Sequence, residues 1–136
     1  MANYYGQART NYFLVKDAEA FKAEMMNYEV NVIEQDIDGQ TAYGIMDADN
    51  DGGGLQWSQF NDDTEDYDDL VWETIIGNHL RDGEVCVLME TGAEKYRYLS
   101  GWAIAFNNKG ETRRVDITDI YDLAKELGTG VTQAEY

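Results

Sequence analysis

The residues most able to do chemistry lie in the run Asp47-Ala48-Asp49-Asn50-Asp51-Gly52. Oxygen side chains at its first, third and fifth positions and glycine at the sixth reproduce the opening of a calcium loop. The match then fails, because Ser58 stands at the twelfth position, where a bidentate glutamate would close the cage. The expected reading is an acidic, glycine-rich turn between two strands, with no resident metal or cofactor. A calcium-binding acidic adaptor built on residues 47–54 is the alternative. Gly52-Gly53-Gly54 offers no phosphate cradle, since Asp47, Asp49 and Asp51 would repel phosphate and no P-loop lysine follows.

Nucleophilic catalysis has little material. His79 is the only histidine and Cys86 the only cysteine. Cys86 falls in the apolar run Glu84-Val85-Cys86-Val87-Leu88-Met89-Glu90, where a thiol behaves as a small inert hydrophobe. His79 closes an apolar helical stripe, where a capping or core role explains it. Pairs of carboxylates could serve acid–base chemistry, but among 27 acids no spacing singles out a pair. No enzyme is expected. A single cysteine also excludes a disulfide framework and a cysteine-based zinc site.

The 136 residues suffice for one domain. Hydrophobic residues make up 43% and aromatics 12%, too much apolar material for an acidic disordered chain. The formal net charge is -17, which opposes binding to nucleic acid or to an anionic membrane through a basic patch. With no signal-like N-terminus and no apolar run of membrane-spanning length, a cytoplasmic protein of a bacterial host is expected.

Hydropathy patterning predicts strands over Thr10–Lys16, Tyr28–Gln35, Thr41–Met46, Leu55–Phe60, Glu84–Glu90, Tyr96–Phe106 and Thr112–Ile117. Asp38-Gly39 marks a hairpin turn. Asp17 caps a first helix carrying Phe21 and Met25 on one face. Asn61–Asp69 leads into a second helix, whose Asp-rich first turn suits the positive end of its dipole and whose Trp72, Ile76 and Leu80 form an i, i+4, i+8 stripe. Thr118 caps a third helix with Ile120, Leu123 and Leu127 inward, closed by Gly128. The expected fold class is α+β: one domain over residues 1–128, a mostly antiparallel sheet with about three helices packed on it, and a flexible tail over 129–136.

The charge is concentrated. From Ala23 to Leu80 there are fifteen acids and no Lys or Arg, whereas the other 78 residues hold twelve acids and all ten bases. Duplex DNA carries one charge per about 1.7 Å of axis, so fifteen charges equal roughly 25 Å of duplex, or seven to eight base pairs. A domain of this size is about 35–40 Å across, so one face could present that charge.

The size, acidity and carboxylate density resemble the small DNA-mimic inhibitors of phages and plasmids, of the anti-CRISPR and anti-restriction types. The runs Tyr4-Tyr5-Gly6-Gln7-Ala8-Arg9-Thr10-Asn11-Tyr12-Phe13 and Lys95-Tyr96-Arg97-Tyr98-Leu99, with the Cys86 run above, look like those of small proteins of mobile elements. The resemblance is one of class and covers no defined motif. It implies an inhibitor that mimics duplex DNA and occupies the DNA-binding channel of a CRISPR effector, or alternatively of a restriction enzyme. Its partner would be a basic DNA-binding protein or effector complex, with no direct contact to nucleic acid or membrane. The expected partner-binding residues are Asp47, Asp49, Asp51, Asp62, Asp63, Glu65, Asp66, Asp68 and Asp69, with Trp57 and Tyr67 as apolar anchors.

Overall fold

A computed structural model describes residues 5–48, 53–94 and 98–134. Its elements are β1 (Tyr5–Thr10), α1 (Ala18–Met25), β2 (Val30–Ile37), β3 (Gln40–Asp47), β4 (Ser58–Asn61), β5 (Asp66–Asp69), α2 (Trp72–Gly77), β6 (Cys86–Glu94), β7 (Tyr98–Phe106), β8 (Thr112–Asp116), a 3-10 turn (Ile117–Asp119) and α3 (Ile120–Ala124). Six strands form one sheet in the order β2-β3-β1-β6-β7-β8, with every pairing antiparallel. β4 and β5 form a separate hairpin. The molecule is thus a single α+β domain dominated by its antiparallel sheet.

Local chemistry explains several elements directly. Asp17 Oδ1 accepts from the backbone N–H groups of Glu19 and Ala20, which caps α1. Asp38 and Gly39 both sit at positive φ, at 52° and 81°, as the two central residues of a tight hairpin turn require. α1 and α2 bury Phe21, Met25, Trp72 and Ile76 against Tyr43, Ile45, Leu88, Ile104 and Phe106 of the sheet, so both helices cover the same face. Phe21 lies edge-on to Phe13 and to the His79 ring. Glu24 of α1 joins the helices, with Oε1 2.6 Å from His79 Nε2 and Oε2 accepting from the Tyr28 hydroxyl. Partial burial and the neighbouring Glu24 carboxylate push the Tyr28 phenol upward.

Four expectations need correction. The first strand spans Tyr5–Thr10, whereas Thr10–Lys16 makes only single bridges, Phe13 to Tyr43 and Val15 to Leu80. Beyond Thr10, the Asn11 side chain extends the pairing instead: Oδ1 accepts from Val87 N–H and Nδ2 donates to Val85 O.

The second correction concerns Leu55–Phe60. Regular pairing there begins only at Ser58, because Leu55 turns inward and donates its N–H to Glu90 Oε1. Third, the acidic run before α2 is not the opening turn of that helix. It is the turn and second strand of a hairpin, and Glu73 is the one acid in the first turn of α2.

Fourth, Ile120, Leu123 and Leu127 do not point inward. They are 56%, 57% and 93% exposed. The cap comes from Asp116 with Asp119 rather than from Thr118: each side chain accepts from the other's end of the turn. Arg114 grips Asp116 through two 3.0 Å hydrogen bonds and lies over the Trp102 ring. That pairing holds the Asp116 carboxyl below the usual aspartate range and raises the Arg114 guanidinium. Tyr96, where this strand was expected to begin, lies outside the described residues, and β7 is described from Tyr98.

Gly44 marks the tightest approach in the sheet. A Cβ there would lie 2.7 Å from Asn11 O and 2.9 Å from Thr10 Oγ1. Thr10 is itself buried, and its hydroxyl accepts from Ile45 N–H while donating to Asn11 O. Gly44→Ala is therefore expected to lower stability by about 1–3 kcal/mol, read as a shifted urea midpoint at unchanged slope. An unchanged midpoint would show that the β1–β3 crossing has slack.

Candidate functional site

The β4–β5 hairpin places most of the expected site residues together. Ser58 pairs with Asp69, Gln59 with Asp68, Phe60 with Tyr67 and Asn61 with Asp66. The four-residue turn Asp62-Asp63-Thr64-Glu65 closes with Glu65 at φ 55°, a left-handed residue at the end of a turn of this length. Asn61 organises the tip: its Oδ1 accepts from Asp63 N–H and its Nδ2 donates to Asp68 Oδ2. Asp66 Oδ1 accepts from Tyr67 N–H.

Every residue from Asp62 to Asp69 is exposed. Alternation divides the ribbon into two faces. Asp66 and Asp68 project from one, and Tyr67 and Asp69 from the other. On the second face Phe60 and Tyr67 stack edge to face with centroids 5.3 Å apart, yet stay 50% and 65% exposed. An aromatic pair left in water among six carboxylates is the feature that composition alone did not bring out. Phe60 was not among the expected anchors. The alternation of Ser58 and Phe60 against Gln59 and Asn61 was its available signal.

The ribbon is rooted in the core. The Trp72 indole N–H donates to Gln56 O, and Leu70 N–H to Trp57 O. Gln56 Oε1 accepts from Glu29 N–H, and Gln59 Nε2 donates to Asn27 O. Trp57, expected as a free anchor, is 38% exposed and packs against Trp102 at 5.4 Å. It supports the root of the ribbon more than its surface.

The remaining acids of the block have other settings. Asp47 Oδ1 accepts from Ala8 N–H, which ties the end of β3 to β1. Asp49 and Asp51 lie outside the described residues. Glu24 is engaged with His79 and Tyr28. Asp36 and Asp38 sit at the far end of β2, about 25 Å along the strand from the Asn27 end where the ribbon is attached. At that far end Lys16 and Arg81 line a recess with Gln40 and Thr41. The block therefore forms no single continuous face: six of its acids are gathered on the ribbon, and Asp36 and Asp38 lie at the other end of β2. Among the described residues, no Lys or Arg forms an ion pair with a ribbon carboxylate.

Other chemistry gains little support. Among the described residues, no group of three His, Cys, Asp or Glu side chains is arranged to hold a metal ion. Cys86 is fully buried, and burial pushes its thiol strongly upward, away from the thiolate form. Among the described residues, no helix is long and apolar enough to cross a membrane. No family model matches the chain, and neither the curated proteins nor the solved structures provide a match.

Proposed function

We infer that the protein is an anti-defence inhibitor that occupies the DNA-binding channel of a CRISPR effector, with the β4–β5 ribbon standing in for one strand of the duplex. The observation that carries this reading is the ribbon itself. Residues 58–69 hold six acids and no base, all six of them exposed. All six sit in the turn and β5, on a hairpin whose four residue pairs extend about 13 Å, so its charge per length is of the order of that of a single strand of B-DNA, one per about 3.4 Å. A basic groove that meets this ribbon releases the counterions it would release to DNA. Phe60 and Tyr67 add apolar contact area that a bare polyanion lacks, and such aromatics dominate binding energy at protein interfaces.

The partner is a basic DNA-binding protein, with a restriction enzyme as the alternative to a CRISPR effector. The mechanism is occlusion and needs neither catalysis nor cofactor. The deciding experiment is competition. Purified CRISPR effectors and restriction enzymes are each mixed with labelled target duplex at two salt concentrations. The expected result is that one effector loses its duplex in the presence of this protein, and that the block weakens as salt rises. Equal inhibition of unrelated DNA binders, or inhibition of none, overturns the reading.

A further inference from the structure

The sheet has a second face, opposite the helices, and the register shows what lies on it. Asn31 pairs with Met46, Met46 with Arg9, Arg9 with Met89, Met89 with Ala103, and Ala103 with Val115. This row crosses all six strands. Met89 and Val115 are exposed, and a groove of about 590 Å³ runs between walls that include Arg9, Met46, Met89, Thr91 and Ala103. Exposed apolar side chains gathered along one groove offer a surface that a second apolar element can cover.

The same chain carries a second unpartnered apolar surface. Ile120 and Leu123 lie one turn apart on α3, Leu127 follows in the turn just past its end, and all three are exposed. Ile117 begins the stripe and lies over Gly101, on the same sheet face as Ala103.

We propose that each surface covers the other in a second copy of the chain: α3 of one protomer lies in the sheet groove of its partner, and the reverse, as a two-fold dimer. Three observations favour a second copy over a different protein. The two surfaces are complementary in kind, a narrow apolar helix stripe and an apolar groove, and two-fold symmetry uses each twice. Their charges also match: Asp119, Asp122 and Glu126 flank the stripe, while Arg9 and Arg113 stand on the sheet face. Finally, both surfaces are drawn largely from outside residues 23–80, the part of the chain whose net charge is only -2. Two molecules of net charge -17 can approach most closely there, with the acidic ribbons outside the contact.

This proposal is independent of the ribbon's function, and sedimentation equilibrium tests it. The expected result is a dimer whose affinity rises with salt as repulsion is screened, the opposite of the dependence expected of the ribbon. Two neutral double variants keep the charge constant: Leu123→Ser with Leu127→Ser, and Met89→Ser with Val115→Ser. All four positions are exposed, so the far-UV spectrum and melting of the monomer are expected to persist. Each double variant is expected to self-associate at least about a hundredfold more weakly. Mixed together, they regain a mixed dimer, because one intact stripe meets one intact groove. A parent chain that stays monomeric, a dimer that survives either double variant, or a mixture that regains nothing overturns the proposal.

Discussion

Replacing Asp66, Asp68 and Asp69 together by Asn is expected to weaken binding to the target effector about a hundredfold at low salt, with no loss of fold. Exposed charges in a basic groove contribute about 1 kcal/mol each, and three of them make roughly the two decades stated. The salt dependence supplies an independent reading. Each charge that no longer displaces counterions lowers the slope of log affinity against log salt by about 0.9, so the triple variant loses between two and three.

Asparagine is the right substitute because the local bonds survive it. Asp66 and Asp68 accept from Tyr67 N–H and Asn61 Nδ2, and an amide oxygen can still accept both. Stability should stay level or rise slightly, since three mutually repelling charges leave a molecule of net charge -17. Thermal melting checks the fold, and competition with labelled duplex checks the function. A folded triple variant that competes as well as the parent would remove the ribbon from the interface.

What could be read from the chain, and what could not, follows from the range of the interactions involved. The Asp17 cap, the Asp38-Gly39 turn and the Trp72, Ile76 face of α2 depend on residues within a few positions of one another, and each lies where local chemistry puts it, whereas Leu80, expected on the same helical stripe, lies past the end of α2 in a bridge to Val15. β1 was not legible as a strand because its buried positions are Gly6, Ala8 and Thr10, which carry almost no hydrophobic signal. Its insertion between β3 and β6, and hence the sheet order, depends on pairings more than thirty residues apart.

The acidic ribbon was misplaced for a different reason. Aspartates before an apolar helix suit the positive end of its dipole as well as they suit an exposed turn. Only the pairing of Phe60 with Tyr67 decides between the two. The stripe of α3 shows the limit from the other side: periodicity establishes that a face is apolar and says nothing of which surface covers it.

Trp72→Ala is expected to lower stability by about 3–5 kcal/mol, a large share of the margin of an ordinary domain. Trp72 is fully buried, lies edge-on to Tyr28 at 5.2 Å, and donates from its indole to Gln56 O. The alanine variant loses the packing and leaves a cavity between α2 and the segment leading into β2. Trp72→Phe separates the two contributions. It keeps one aromatic ring in the core while removing the donor and part of the indole volume, and leaving the Gln56 carbonyl unpaired alone costs about 1–3 kcal/mol.

Urea unfolding of both variants orders them, and an alanine variant with the parent's midpoint would contradict the packing described. The phenylalanine variant also reports on the ribbon. Gln56 fixes the entry to β4 through Glu29 N–H and Ser58 O, so loosening it should speed hydrogen exchange at Leu70, whose N–H is held by Trp57 O, before it affects the sheet. If binding to the effector also weakens in Trp72→Phe, with every ribbon charge still present, then the carboxylates must be held in place as well as supplied. A specific mimic requires this, and a polyanion does not.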